Sequence, residues 1–466
     1  MRFRALGVLV ALVTIAGAGA STALGEPQPP AAPPASPAQP PLRLSLADAI
    51  RRALDEGTAT QLAKARTAEA EARAQEARSG LQPQLSLGSQ VANETLNLAT
   101  FGFSLPGFPT VTPPFNIVDA HITFAMNLID LAAKRRYQAA RAGVRVSEED
   151  RRRTENEVAA AVASLYVSLG RSSARIDEIK ANVDLFQRLR QLAVDQKNAG
   201  VGTRLDTTRA DVQLARQQQA LLVAVNQRDL ARLALLRAVG GDLGADVVLT
   251  DDWSQAAAPV PTLADALAAA RQGRPELSLF EQRLRAAALN IEAARAERLP
   301  TLGAQAQGNE SGNRLRDVEW SRTIGAVVNV PLFTGRRIEA RVAEARSQQE
   351  QLQLQQKDTE RQVEQEVRQA LLQWASARSR VELADQSVRL AEDELEQASD
   401  RFKAGVAPSI EVDNAQTSLA AARDTRIDAL ADEAQARFDL SRATGQIRAL
   451  IPETSSMQNT RQDGGK

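Results

Sequence analysis

Apolar residues recur every three or four positions along Val363, Val367, Ala370, Trp374, Ala377, Val381, Ala384, Val388, Ala391, Leu395, Ala398 and Phe402. A spacing of 3.5 sustained over about five heptads predicts left-handed coiled-coil packing. Two hundred and five positions upstream the register returns as Val158, Val162, Leu165, Leu169, Ser172, Ile176, Ile179, Val183 and Phe186, then Arg190, Ala193 and Lys197. The seam is narrow and the other faces carry Gln, Arg, Glu and Asp, so each helix is wet over most of its surface. From 132 to 197 the pattern covers about 66 residues, which at 1.5 Å each makes a rod roughly 100 Å long.

Other stretches change period. From Phe115 to Asp130, Val118, Ala120, Ile122, Phe124, Met126 and Leu128 alternate with Asp119, His121, Thr123, Ala125 and Asn127. This period-two pattern is long enough for a tilted membrane strand. Residues 318–332 repeat it, with Trp320, Arg322, Ile324, Ala326, Val328 and Val330 against Glu319, Ser321, Thr323 and Asn329. Arg322 on the apolar face fits near an interface, close to Trp320. Weaker alternation follows Pro83 and Pro300, placing strands at about 83–97 and 300–310, and Phe101–Phe115 reads as a long loop joining the first pair.

The chain is thus internally duplicated. LADAIRRAL at Leu46 echoes LADALAAAR at Leu263, Pro83 falls on Pro300, and Ala238-Val239-Gly240 falls on Ala443-Thr444-Gly445. Each half reads helix, strands, very long helix, bend, helix. The expected divisions are a signal peptide at 1–25, a Pro-rich linker at 26–41, a first repeat at 42–240, a joining segment at 241–261, a second repeat at 262–451 and a disordered tail at 452–466. The long helices are expected at 132–197, 203–240, 334–403 and 408–445. Arg2 and Arg4 before an apolar run to Ala20 carry the signal-peptide reading.

Composition narrows the function. Aromatics are 3%, and Lys plus Arg balances Asp plus Glu at 57 each, so no net field recruits nucleic acid. With no Cys and a single His, His121, the chain has neither thiolate chemistry nor a multi-His metal site. No cofactor motif or enzymatic constellation is expected, and His121 reads as a polar strand residue.

Four membrane-length strands cannot close a barrel alone, and open edges are not tolerated in lipid. Two chains would supply eight strands with a nearly filled lumen, whereas three would supply twelve around water. A duct is the economical reading. The helices also bend twice in the same way, in KNAGVGTRLD (Lys197–Asp206) and in FKAGVAPSIE (Phe402–Glu411), each with an acid six positions after Gly200 or Gly405. Such an acid in the first turn of a helix is also favoured simply by the helix dipole.

The duplicated halves, Val330-Pro331-Leu332-Phe333-Thr334-Gly335 at a strand-to-helix junction, and the two Ala-Gly-Val bends resemble the TolC-like outer membrane efflux proteins, from Leu44 to Ile451. The resemblance implies a mainly α protein with membrane β structure. Long coiled-coil hairpins of three chains form an α-barrel tunnel, and four strands per chain share a twelve-stranded β-barrel. It implies a homotrimer in outer-membrane lipid, working with a periplasmic adaptor and an inner-membrane pump of the RND or ABC type. By the same resemblance Gly200, Val201, Gly202, Gly405, Val406 and Ala407 are adaptor-docking tips, while Glu411, Asn414 and Asp206 ring the periplasmic mouth. Asn414 is neutral where an acid would strengthen the ring, and Phe402 and Ala407 stand where some members carry Tyr and Arg. Many members carry a lipidated Cys, which this sequence lacks. The competing reading is a periplasmic coiled-coil adaptor or scaffold without a barrel, which leaves the duplicated strand segments unexplained.

Overall fold

The computed structural model describes residues 41–102, 109–200, 202–252, 254, 259–314, 316–404 and 406–450. The signal-peptide segment, the Pro-rich segment except Pro41, the tail from 452, and the tip residues Val201 and Gly405 lie outside the described residues. In chain order the elements are β1 (Leu42–Leu44), α1 (Leu46–Glu56), α2 (Thr58–Ser79), β2 (Gln84–Glu94), β3 (Phe115–Ile129), α3 (Leu131–Asn198) and α4 (Arg204–Ala238). The second half follows with β4 (Val247–Leu249), α5 (Leu263–Gly273), α6 (Pro275–Ala296), β5 (Thr301–Gly312), β6 (Glu319–Asn329), α7 (Arg337–Lys403) and α8 (Ser409–Ala443). The fold is mainly helical, as the periodicity predicts.

The 3.5-spaced seam is the hydrophobic core of the rods. Val363, Val367, Ala370, Trp374, Ala377, Ala384, Ala391 and Ala398 are buried, and so are Val162, Leu169, Ile176, Val183 and Phe186. Fully removing one Val or Leu side chain from water stabilises by about 1.5–3 kcal/mol, so a seam repeated over many turns holds a helix whose other faces stay wet. Toward the bends α3 packs on α4, α7 on α8, and α3 on α8, which joins the two hairpins. Toward the sheet the packing runs α2 on α3, α3 on α6 and α6 on α7.

Two local features were not legible in the pattern. Before each strand pair there are two helices where one was expected, because Gly57 ends α1 and Pro275 opens α6 at its first turn. The joining segment also contributes β4, which pairs in parallel with β1. Buried Tyr166 locks that pair, since its hydroxyl donates to the Leu44 carbonyl at 3.1 Å and accepts from the Asp251 N–H at 3.2 Å. Burial pushes the Tyr166 phenol above its ordinary pKa. The start of α7 falls at Arg337 rather than 334, because Gly335 (φ 59°) and Arg336 (φ 62°) are both left-handed.

The four long strands form one antiparallel sheet in the order β2-β3-β5-β6. Directly opposed residues share a face, and the register lines up chemistry across all four strands. Leu85 opposes Phe124, which opposes Ala306, which opposes Ile324. One residue along, Ser86, Thr123, Gln307 and Thr323 make a polar row. His121 lies in the polar row of Gly88, Asn309 and Ser321, with Nδ1 2.6 Å from the Asp119 carboxylate. The apolar face is open, with Leu87 81%, Ile324 75% and Val328 64% exposed. Within the chain β2 and β6 each keep one unpaired edge.

Candidate functional site

The two bends lie at the far ends of the longest helices, and local hydrogen bonding shapes each. At the first, the Gly200 N–H donates to Lys197 O at 3.1 Å and the Gly202 N–H to Gln196 O at 3.0 Å, satisfying carbonyls orphaned by the end of α3. Gly200 has φ +77°, a conformation that costs an L side chain strain, and a Cβ on Gly202 would sit 2.9 Å from the Lys197 nitrogen. The second bend repeats the closure, with the Val406 N–H donating to Arg401 O at 3.0 Å. The Val406 side chain is 69% exposed.

Asp206 and Glu411 occupy the same third position of α4 and α8, yet their side chains differ in use. Asp206 closes a capping box: it accepts from the Thr203 N–H at 3.0 Å and from the Thr203 hydroxyl at 2.6 Å, and its own N–H donates back to that hydroxyl at 3.2 Å. The Thr203 hydroxyl and N–H hold its carboxyl below the usual aspartate range. At the second tip Pro408 offers no capping side chain, and Glu411 turns to Arg401 instead, 3.3 Å away and half exposed. Asn414 is exposed one turn further along.

Both tips of one chain contribute to a single cleft of about 310 Å³. Phe186 and Gln196 come from α3, Asp206 and Arg209 from α4, Phe402 from α7 and Asp413 from α8. The cleft therefore gathers Asp206 with Phe402 but leaves Glu411 and Asn414 outside its lining. It also contains a residue that sequence reasoning missed. Burial pushes the Asp413 carboxyl up, Arg209 opposes that, and the Asp206 charge adds to it. The available signal was the run Glu411-Val412-Asp413-Asn414, in which Asp413 follows the apolar Val412 half a turn round from Glu411. Arg190, paired with Asp211 at 2.6 Å, ties α3 to α4 just above the cleft. Among the described residues no group of three or more His, Asp or Glu could hold a metal ion.

The chain is similar to known proteins in sequence and in fold. The sequence profile of the family described as outer membrane efflux protein matches residues 49–241 and 266–446. The outer membrane efflux protein BepC of Brucella suis biovar 1 (strain 1330) is 26% identical over 326 residues, covering 64% of this chain and 69% of that protein. The CmeC outer membrane channel of Campylobacter jejuni superposes with a TM-score of 0.73 at 17% identity, over 86% of this chain and 85% of that one. The outer membrane protein VceC of Vibrio cholerae gives 0.70 at 19% identity, over 86% and 96%. With well over half of its residues inside the two matched stretches, this chain belongs to the outer membrane efflux protein family, channel proteins of the outer membrane.

Proposed function

We propose that three copies of this chain form one exit duct, which passes cargo from an inner-membrane pump of RND or ABC type, through a periplasmic adaptor, to the exterior. The observation that carries this reading is the sheet with two unpaired edges, β2 and β6, on either side of a face that is apolar from Leu85 to Ile324 and turns polar only toward Glu310 and Arg322. In lipid those edges need partners, and other copies of the same sheet supply them in kind. Eight strands from two copies would leave a lumen filled by side chains, and twelve from three copies leave room for water. The polar rows headed by Ser86 and Gly88 then face the pore.

In this reading the repeats are 42–240 and 262–451, joined by 241–261. Gly200, Val201, Gly202, Gly405, Val406 and Ala407 are the adaptor-docking tips. Glu411, Asn414 and Asp206 ring the mouth, with Asp413 behind them. Threefold symmetry turns each acid into a ring that favours cations. Asp206 contributes less than Glu411, because Thr203 holds its carboxylate in the helix cap. Planar-bilayer recordings test the proposal. The protein should conduct in discrete steps, Glu411→Gln should lower cation preference and weaken block by divalent cations, and Asp206→Asn should do the same more weakly. Absence of conductance from assembled protein would overturn the duct, and unchanged reversal potentials in the double substitution would assign both acids to helix capping alone.

A further inference from the structure

We propose that the cleft between α3 and α6 is a binding site for a small oxyanion of two or more negative charges, a phosphate- or sulfonate-bearing molecule. The cleft encloses about 410 Å³, and four arginines line it: Arg135, Arg141 and Arg145 from α3 and Arg285 from α6. A sphere of that volume is about 9 Å across, wide enough for a small oxyanion, and Arg141, Arg145 and Arg285 are exposed where such a ligand would enter from solvent. Of the four, only Arg135 is compensated among the described residues, by Glu292 at 3.1 Å and by Gln138 at 2.8 Å. Arg141, Arg145 and Arg285 have no ion-pair partner among the described residues. Single arginines unpaired among the described residues occur on other helix faces, such as Arg378 and Arg389 on α7; what sets this cleft apart is that three of them line one space. Glu71 and Glu148 line the adjoining groove with Arg141 and Arg145, but neither forms an ion pair with them.

The arrangement is built by helical spacing. Gln138, Arg141 and Arg145 recur on one face of α3, and Arg285 and Leu289 on one face of α6, so two stripes of one helix pair enclose the same space. Guanidinium groups are weakly hydrated forks matched to phosphate and sulfonate oxygens, and they bind them bidentately. Both helices belong to the α2-α3-α6-α7 layer, and every residue lining the cleft comes from this one chain. Its depth selects a soluble ligand. Arg141 and Arg145 lie ten and fourteen residues beyond Leu131, about 15 and 21 Å along the helix axis from the end of the sheet. That is below a headgroup layer of roughly 5–7 Å. This last step rests on the membrane placement proposed above.

Calorimetric titration of the full chain in neutral detergent with inorganic pyrophosphate tests the site without any conductance readout, so its failure leaves the duct untouched. Saturable binding is expected, weakening as NaCl is raised. Arg141→Gln with Arg145→Gln should raise the Kd at least tenfold. Arg378→Gln with Arg389→Gln, the same loss of charge on α7, should change it less than twofold. Should the first pair not fold, Arg285→Gln carries the test from the opposite helix, with at least a threefold loss expected. No saturable binding, or an equal loss in both double substitutions, overturns the proposal. So does a result in which only micelles doped with phosphatidylglycerol, and not pyrophosphate, raise the Tm in an Arg141- and Arg145-dependent manner, because the patch would then be a lipid contact.

Discussion

Arg175 on α3 grips Asp424 on α8 through two parallel hydrogen bonds of 2.6 and 2.7 Å, fastening the first hairpin of the chain to the second. The Asp424 carboxylate holds the guanidinium above its ordinary pKa, against the pull of burial. Asp428 adds a third contact at 3.3 Å. Both side chains remain partly in water, so the pair couples by about 0.5–1 kcal/mol rather than by the larger value of a dry pair. A double-substitution cycle with Arg175→Gln and Asp424→Asn should return that coupling in denaturant unfolding. Strict additivity would show that the hairpins are held by apolar packing alone.

The first tip depends on its capping box. Thr203→Ala removes the hydroxyl that both receives from Asp206 N–H and donates to its carboxylate, and should cost about 1 kcal/mol of local stability. Asp206 has a lowered folded pKa, so its contribution is fully present above the ordinary aspartate value and fades as pH falls through the lower folded value. Amide exchange at 204–208 followed from neutral to strongly acidic pH should show that loss in the wild type and not in Asp206→Asn.

Much of this was legible in the pattern. The heptad seam from Val363 to Phe402 identified the inward line of α7, with Val381, Val388, Leu395 and Phe402 half-buried and the rest buried, because a coiled-coil interface is a one-dimensional signal. The alternation around Ile122 and Ile324 identified strand faces for the same reason. Local exceptions were hidden. β1 and β4 are three-residue strands whose pairing depends on Tyr166, more than 80 positions away in sequence from Asp251. Arg336 adopts a left-handed backbone without being Gly, and delays α7. At the tips, sequence reasoning found the equivalent acids Asp206 and Glu411, but it could not show that one is bound to Thr203 and the other to Arg401. Asp413 was missed because its character comes from burial between two hairpins, a tertiary fact.

Asp413 carries a pH dependence of opposite sign. Its folded pKa is raised, so the protonated form is preferred in the fold, and the charged form is a penalty that grows as pH rises from the ordinary aspartate value through the folded one. Asp413→Asn should therefore stabilise the tip at neutral pH and leave it unchanged in strong acid. Solvent still reaches the group, which holds the gain to roughly 0.5 kcal/mol. Thermal unfolding at the two pH values checks this, and a destabilised Asp413→Asn protein at neutral pH would mean that Arg209 outweighs burial.

The bends offer a functional test. A β-branched residue at Gly200 must adopt φ +77°, at a cost of about 1–2 kcal/mol, and one at Gly202 meets the Lys197 nitrogen. Gly200→Val and Gly202→Val should leave assembly and outer-membrane level intact while reducing export in cells that supply the adaptor and pump. Full export by both substitutions would remove the bends from the docking surface.

Closure of the β2 edge of one copy against the β6 edge of the next is open to direct chemical test, because the chain contains no Cys of its own. Ser86→Cys on β2 would be combined in turn with Ser321→Cys, Thr323→Cys and Gly325→Cys on β6, and each pair oxidised in isolated outer membranes. A correctly registered pair brings Cα atoms to about 5.5–6 Å, within disulfide reach. At least one pair should give a ladder on denaturing gels that ends at three chains and collapses to monomer on reduction. Monomer alone from every pair, or a ladder that runs past three, would contradict a barrel shared by three copies.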